Sequence, residues 1–337
     1  MMKEPSGLQL AGRHPSIAAL RDLVARVARS QARTVLIYGE TGTGKSLVAR
    51  ILHEQSDRAA REFIDINCAA IPAQLLESEL FGHERGAFTG AVGKKEGLVE
   101  AANGGTVFLD EVRELDPVMQ SKILTLLDTR RFRRVGAVRP ISVDVRFIAA
   151  TNKILLSEVK DGKFREDLYY RLQVIAINIP PLRERGDDIF LLAQQALARY
   201  RQQYGSRMAH LDPEVERIFR AYRWPGNVRE LEHLLERICL LEEGDCVLPR
   251  HLPARILREV DARADASADA SAGTDAAMAA APVPGEDYHA ATARFQARLI
   301  RAALDACGQN AGQAAQRLGL SRHALRHQML KLGLTDA

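Results

Sequence analysis

TVLIYGETGTGKS, residues 34–46, is the most informative segment of this 337-residue chain. Its first half is a short apolar run closed by Gly39. Its second half, GETGTGKS at 39–46, matches GxxxxGK[ST] just ahead of a helix expected to begin near Lys45. Strand, glycine loop and helix in that order make a phosphate cradle. Glycines let successive backbone N–H groups curl around phosphate oxygens, the helix N-terminus adds positive potential, and Lys45 reaches the terminal phosphates. Gly39, Glu40, Thr41, Gly42, Thr43, Gly44, Lys45 and Ser46 are therefore the candidate nucleotide-binding residues, with the Ser46 hydroxyl on a magnesium ion.

On either side of this loop the chain alternates between two kinds of pattern. Ile17, Leu20, Leu23, Val24 and Val27 have the spacing of an amphipathic helix, and apolar runs recur at 62–67 (EFIDIN), 106–110 (TVFLD), 143–150 (VDVRFIAA) and 174–179 (VIAINI). Strands separated by helical stretches predict an α/β domain whose parallel sheet is covered on both faces. After Pro180 and Pro181 the pattern is helical, at 189–204, 213–222 and 227–242, which predicts a smaller all-helical subdomain. From about 258 to 287 the chain dissolves into Ala, Asp and Ser, too poor in large apolar residues to bury a core, and reads as a flexible linker.

The run TVFLDE at 106–111 supplies the second half of a hydrolytic site. Its strand delivers Asp110 to orient a magnesium shell and Glu111 to polarise an attacking water. Two acids at a strand end also serve as a solvated cap. A phosphate loop otherwise lacks its metal and water partners, so hydrolysis is expected rather than binding alone.

Between the two halves lies FGHERGAFTGA, residues 81–91. Gly82, Gly86 and Gly90 bracket Phe88 and Thr89, combining low backbone stiffness with an aromatic tip. On physical grounds alone the plainer reading is that Phe88 anchors a surface loop to the core. A second loop, RRFRR at 130–134, fits a solvated face and an approach to DNA or a protein partner equally well.

The net charge of +4 is small for this length, but it is unevenly placed. Residues 289–337 carry seven Lys or Arg against two acids, so 7 − 2 leaves +5 on that segment alone. The segment reads as helix at 297–318 and 321–332. Ala314, Ala315 and Leu318 can pack on Leu325, Met329 and Leu330 across a turn at Gly319 and Leu320, with Ser321 as N-cap. This is a helix-turn-helix, and Ser321, Arg322, His323, Arg326, His327 and Lys331 are its candidate DNA-binding residues. Arginine pairs bidentately with guanine and the others meet phosphate. A packing module without DNA contact is the plainer alternative, against which the local charge argues.

Taken together, the phosphate loop, the acidic pair, GAFTGA and the helix-turn-helix resemble the bacterial enhancer-binding proteins that activate sigma-54 RNA polymerase. The resemblance covers nearly the whole chain. It implies an AAA+ P-loop ATPase with a helical lid and a Fis-type helix-turn-helix domain, using ATP and Mg2+. It further implies that Asn152 in AATN is the sensor of the γ-phosphate or its water, and that Asn67 in DINCAA is a switch partner of Glu111. By the same resemblance Arg165 and Arg171 in FREDLYYRL are arginine fingers donated across a subunit interface, and Arg229 in WPGNVREL is the sensor in the lid. Gly86, Ala87, Phe88, Thr89, Gly90 and Ala91 become the sigma-54 contact loop, moved by hydrolysis so that the closed promoter complex can open. Melting roughly ten base pairs at about 1.4 kcal/mol per step is comparable with the stability of a whole domain, so a free-energy source suits that task. Fingers acting in trans imply a homo-oligomeric ring, by resemblance a hexamer. The Fis-type module implies dimers on a roughly palindromic double-stranded enhancer with half-sites about one turn apart. Ser46 stands where the family often has an acid, which puts magnesium coordination in question. Ala324 stands where a hydroxyl is often found, which puts one DNA contact in question.

The expected layout is an AAA+ α/β subdomain at 1–182, a helical lid at 183–257, the linker at 258–288 and the Fis-type domain at 289–337. Cys68, Cys239, Cys246 and Cys307 lie far apart without metal-type spacing, so neither a zinc site nor a disulfide framework is indicated, and a reducing cytoplasm is expected. No stretch reaches the roughly 20 apolar residues that span a bilayer, and the N-terminus has no signal-type apolar core. The ATPase begins by about Leu8, which leaves no expected receiver or ligand-sensing domain. Control then falls to a separate inhibitor or co-activator protein, or to expression level. Two other classes remain: an AAA+ replication initiator or loader, against which GAFTGA argues, and a DNA-binding repressor with a vestigial ATPase. Against the repressor stand Lys45, Asp110, Glu111, Arg165 and Arg171.

Overall fold

The computed structural model describes residues 8–262 and, towards the C-terminus, 296–297, 300–305, 307–308, 310–317, 322, 325–326, 329 and 334. The chain divides into two units, Met1–Val260 and Asp261–Ala337. In the first unit five strands, β1 Thr34–Tyr38, β2 Phe63–Asn67, β3 Thr106–Asp110, β4 Arg146–Thr151 and β5 Ala176–Asn178, build one sheet. Its order is β2-β3-β4-β1-β5 and every pairing is parallel. Each apolar run named above has become a strand.

The runs are nearly continuous in hydrophobicity because both faces of the sheet are covered. Alternate residues serve opposite cores. Val35, Ile37, Phe108, Ile148 and Ala150 pack with residues of α1 (Pro15–Ala28) and α2 (Lys45–Glu54). Leu36, Val107, Leu109, Phe147 and Ala149 pack with residues of α3 (Ala73–Phe81), α4 (Pro117–Thr129), α5 (Leu155–Lys160) and α6 (Glu166–Leu172). Each fully buried aliphatic or aromatic side chain contributes about 1.5–3 kcal/mol by leaving water. A slip of one residue in any strand would exchange the two sets.

Helix starts follow local chemistry. Asp116 accepts a hydrogen bond from Met119 N at 2.7 Å and Pro117 takes the first position of α4. The α2 helix starts differently: Gly44 caps it at φ 102° with no side-chain hydrogen bond, leaving its first N–H groups for a ligand.

The register sets Tyr38 beside Thr151 and Asn178, and Asn67 beside Asp110. All five are the last residues of their strands, so one rim of the sheet gathers every strand end that the sequence marked as chemical. Crevices at such carboxyl ends are where open α/β sheets take ligands.

The helical subdomain follows, with α7 Asp188–Tyr204, α8 Pro213–Ala221 and α9 Asn227–Leu241 around Leu197, Val215, Phe219, Trp224, Leu231 and Leu235. Trp224 donates its indole N–H to Phe219 O at 2.9 Å and lies edge-on to Phe219 and Tyr222. A parallel ladder of two residues per strand, His210–Leu211 with Cys246–Val247, stitches its far end. It is too short to show a period in the sequence. Residues 254–262 are helical.

In the second unit Ile300, Ala303, Leu304, Ala314, Ala315 and Leu325 form a small core. The helical reading of 297–318 as one run needs correction. A turn at Cys307 and Gly308 interrupts it, with Gly308 at φ 57°, and Ala311–Arg317 starts afresh with Asn310 Oδ1 accepting from Gly312 N at 3.0 Å. Glycine takes that left-handed conformation without strain and an Asx cap competes with helix continuation.

Candidate functional site

The phosphate loop joins β1 to α2, and its shape is that of a cradle. Gly42 and Gly44 have φ of 78° and 102°. A Cβ on Gly44 would meet nothing within 4 Å, which marks open space over the loop. A Cβ on Gly42 would lie 2.2 Å from Gly226 O, so the lid backbone touches the loop directly there. Lys45, at 7% exposure, donates to Gly39 O at 3.0 Å and stands 3.4 Å from Glu111 Oε1. Ser46 is exposed next to it.

Asp110 and Glu111 reach this place from the end of β3. Burial pushes the Asp110 carboxyl above its ordinary value; Lys45 opposes that and the like charge of Glu111 adds to it. Two half-buried carboxylates beside one ammonium favour an additional cation. Glu111 adopts φ 53°, a strained conformation for a residue with a Cβ, and its N–H donates to Asp110 Oδ1 at 3.0 Å. Such strain turns the side chain back over the loop rather than along the strand.

Asn152, just beyond β4, closes the site from the third strand. Its N–H donates to Glu111 Oε2 at 3.3 Å and its Nδ2 to Thr41 Oγ1 at 3.4 Å. Its Oδ1 is buried with no hydrogen-bond partner, an acceptor able to receive a hydrogen from a water or hydroxyl group. The residues present thus fit a nucleotide polyphosphate with a divalent cation, which Ser46 and Asp110 would hold.

Asn67 lies beside Asp110 in the sheet, but its Oδ1 accepts from Ala69 N at 2.9 Å, while Glu111 is engaged by Lys45 and the Asn152 N–H. Next to Asn67, burial, with Asp110 adding to it, pushes the Cys68 thiol up to about 12.

Arg165 is the N-cap of α6 and Arg171 lies in its last turn, and both are exposed. Arg165 forms a bidentate pair with Asp167 at 3.0 and 2.7 Å. Arg171 pairs with Asp128 at 2.8 Å and donates to Leu127 O at 3.2 Å. None of these partners belongs to the phosphate loop of the same chain. Tyr170 on α6 and Val174 just beyond it are each more than 60% exposed, as is Ile154 before α5.

The lid contributes more than the sequence indicated. Arg229 N donates to Gly42 O at 3.3 Å, which puts Arg229 against the loop. Its neighbour Asn227, fully buried, was not foreseen. Asn227 Nδ2 donates to Glu40 Oε2 and to Thr41 O, each at 3.1 Å, while its Oδ1 accepts from Leu182 N at 2.8 Å. Arg183 grips Glu40 with two bonds of 2.8 and 2.6 Å, and these bonds hold the Glu40 carboxyl below its ordinary value, with Asn227 helping against the cost of burial. Buried Arg185 donates to Thr43 O at 3.1 Å. The available signal is the Pro225–Gly226 turn in WPGN, on either side of which Trp224 and Asn227 take φ of 54° and 50°, strained for residues with a Cβ.

The GAFTGA segment forms an exposed loop. Gly86 N donates to Ala91 O at 2.8 Å and closes its base, and Gly86 and Gly90 take φ of 78° and 103°. Phe88 is 41% exposed and stands edge-on to His83, while Thr89 is exposed beside it. The RRFRR stretch is less open than its charge suggested. Phe132 is in the core, and Arg134 is held by Glu100 at 2.7 Å and Glu84 at 2.9 Å. Arg130, Arg131 and Arg133 remain exposed. Arg134 therefore joins this second loop to the stem of the first.

In the second unit Arg322 and Arg326 are exposed while Leu325 between them is buried, the phasing of a helix with one face outward. Ser321, His323, His327 and Lys331 lie outside the described residues. Among the described residues no cluster of three or more His, Cys, Asp or Glu could hold a metal ion, and no helix is long and apolar enough to cross a membrane.

Comparison with known proteins bears on this arrangement. The Sigma-54 interaction domain model matches residues 10–178, the AAA+ ATPase lid domain model 183–269, and the model described as bacterial regulatory protein, Fis family, 292–332. The response regulator protein PilR of Pseudomonas aeruginosa is 44% identical over 98% of this chain, which spans 71% of that protein. The regulatory protein AtoC of Escherichia coli is 43% identical over 93% of this chain, which spans 65% of it. A crystal structure of NtrX from Brucella abortus in complex with ATP matches with a TM-score of 0.69 at 31% identity, covering 98% of this chain and 71% of that one. With an AAA+ phosphate cradle, a lid bound to it and a Fis-type helix-turn-helix, this chain belongs to the family of sigma-54-dependent transcriptional activators.

Proposed function

We propose that this protein hydrolyses ATP as a ring oligomer and uses the free energy to remodel sigma-54 RNA polymerase from the closed to the open promoter complex. The observation that carries this is the meeting of Lys45, Glu111 and Asn152 at one sheet rim, on a chain that also presents Phe88 and Thr89 at an exposed loop apex. In this reading Lys45 neutralises the terminal phosphates, and Ser46 and Asp110 hold Mg2+, which screens phosphate charge when bound. Glu111 orients the attacking water, and the unpartnered Asn152 Oδ1 receives one of its hydrogens. Arg165 and Arg171 serve the site of the adjacent subunit, where arginine fingers contribute about 10³–10⁵ in turnover. Their exposure beside an apolar surface supports a second copy as the occupant. Arg229 reads the nucleotide from the lid, and Asn67 exchanges its own turn for Glu111 when the nucleotide state changes.

The Fis-type module at 289–337 would bind double-stranded enhancer DNA as a dimer through Arg322 and Arg326, together with Ser321, His323, His327 and Lys331. The layout 1–182, 183–257, 258–288 and 289–337 separates motor, lid, linker and DNA reader, and the setting is the cytoplasm, with a separate regulatory protein in control. The test is permanganate footprinting of a sigma-54 promoter with purified sigma-54 holoenzyme and the full chain. Promoter melting with ATP and none with a non-hydrolysable analogue is the expected result. Vigorous ATPase without melting would redirect the motor to another target, first among them replication complexes.

A further inference from the structure

Gln120 is a polar side chain in the core of the α/β subdomain, at 1% exposure on the first turns of α4. Its carboxamide is fully used. Nε2 donates to Leu115 O at 2.8 Å and to Lys163 O at 3.0 Å, and Oε1 accepts from Arg165 N at 2.8 Å. Leu115 ends the short turn that leaves the acidic pair: Glu114 N bonds Glu111 O at 3.0 Å and Leu115 N bonds Val112 O at 3.3 Å. Arg165 is the N-cap of α6. One buried amide thus ties the segment leaving Glu111 to the backbone of Arg165. A second tie runs parallel to it, from Arg113 in the same turn to Glu158 on α5 at 3.9 Å, where Glu158 O accepts from Lys163 N and Phe164 N.

We propose that Gln120 is a positioning residue through which the state of one subunit's Glu111 sets the Arg165 it offers to the next subunit. The inference rests on the reading of Arg165 as acting in trans. A buried carboxamide with three satisfied bonds transmits displacement because losing any one of them leaves a polar group unpaired. Arg165 itself is exposed, so its placement depends on its backbone anchor and on Asp167. Gln120 is that anchor's only side-chain partner among the described residues.

The test is a mixing experiment with the full chain. Gln120→Met keeps length and apolar volume but removes the three bonds. Alone it should lower kcat for ATP about 10²-fold, the scale of a misplaced catalytic group, with KM for ATP little changed because the cradle is intact. Mixed with Glu111→Gln subunits, whose own turnover is low but whose Gln120 still holds Arg165 N, the Gln120→Met subunits should regain much of their turnover. The control pairs Arg165→Ala with Glu111→Gln. If the control recovers and Gln120→Met does not, Gln120 serves its own subunit's site and the inference fails. Should the control also stay silent, Arg165 does not act in trans and both readings fall together. Wild-type kcat in Gln120→Met alone would also overturn it. If Gln120→Met does not fold, Gln120→Asn, which holds the amide one methylene short, must show the same recovery on mixing.

Discussion

Asn227 Nδ2 donates to Thr41 O at 3.1 Å, joining the first residue of a lid helix to the phosphate loop across 186 positions of sequence. The same amide meets Glu40 and receives Leu182 N. The lid and the nucleotide loop are therefore joined by direct hydrogen bonds, without any intervening element.

Asn227→Ala should uncouple the two. It leaves Leu182 N and Thr41 O without their partner, at about 1–3 kcal/mol for each buried unsatisfied group. We expect lower stability in urea and weaker binding of a fluorescent adenine nucleotide. Unchanged nucleotide affinity in a correctly folded variant would refute the latch.

Substitutions at Lys45 and Glu111 should separate binding from turnover. Lys45→Ala removes the ammonium that meets both Gly39 O and Glu111, and should abolish nucleotide binding. Glu111→Gln keeps the cradle and should bind while losing roughly 10²–10⁴ in turnover, the range for a missing general base. Nucleotide titration beside steady-state ATPase distinguishes the two, and turnover retained by Glu111→Gln would move the water-orienting role elsewhere.

Arg165→Ala and Arg171→Ala should leave the melting temperature unchanged, since the ion pairs lost are at the surface. ATPase should nevertheless fall about 10³-fold or more. A proportionate loss of stability and activity would mean these arginines only brace α6.

The exposed loop should be separable from the motor. Thr89→Ala is expected to hydrolyse ATP normally and fail in open-complex formation, because it alters an exposed apex far from the cradle's bonding. Arg134→Met, which removes the ion pairs to Glu84 and Glu100 but leaves the backbone bond from Glu84 N to Val135 O at 3.0 Å, should do likewise in part. Normal promoter opening by Thr89→Ala sinks the contact assignment.

Acid should weaken the fold through His53. This ring is buried, packs on Phe63 and meets Thr106 Oγ1 at 2.9 Å through Nδ1; burial pushes its imidazole below the ordinary 6.5. The unfolded chain then binds a proton that the folded one resists, so stability is complete above 6.5 and declines as pH falls through that value. The urea midpoint should be lower near pH 5.5 than near pH 7.5, and His53→Gln should reduce that difference. An unaltered pH dependence in the variant would assign the effect to other groups.

Much of this was legible in order of residues alone. The five strands, the loop before Lys45, the acidic pair and the helical lid could be named because each depends on a contiguous pattern, an apolar run or a glycine spacing. The helix boundary at Gly308 was missed because Ala and Leu on both sides keep a helical rhythm that a left-handed glycine and the Asn310 cap override. RRFRR fits a solvated face or a partner contact equally well in sequence, although Phe132 points into the core and Arg134 into two carboxylates. Charge runs carry no mark of which members find partners.

The chemistry of the chain is written locally: phosphate loop, acids, GAFTGA and helix-turn-helix each draw their properties from a handful of neighbouring residues. What required the folded molecule is which of them meet. Lys45 faces Glu111 because β1 and β3 lie on either side of β4. Asn227 reaches Thr41 because the lid core turns α9 towards the sheet rim, and Gln120 reaches Arg165 across 45 positions. Such pairings depend on strand order and on interlocked side chains, and the periodicity of a single segment contains no information about either.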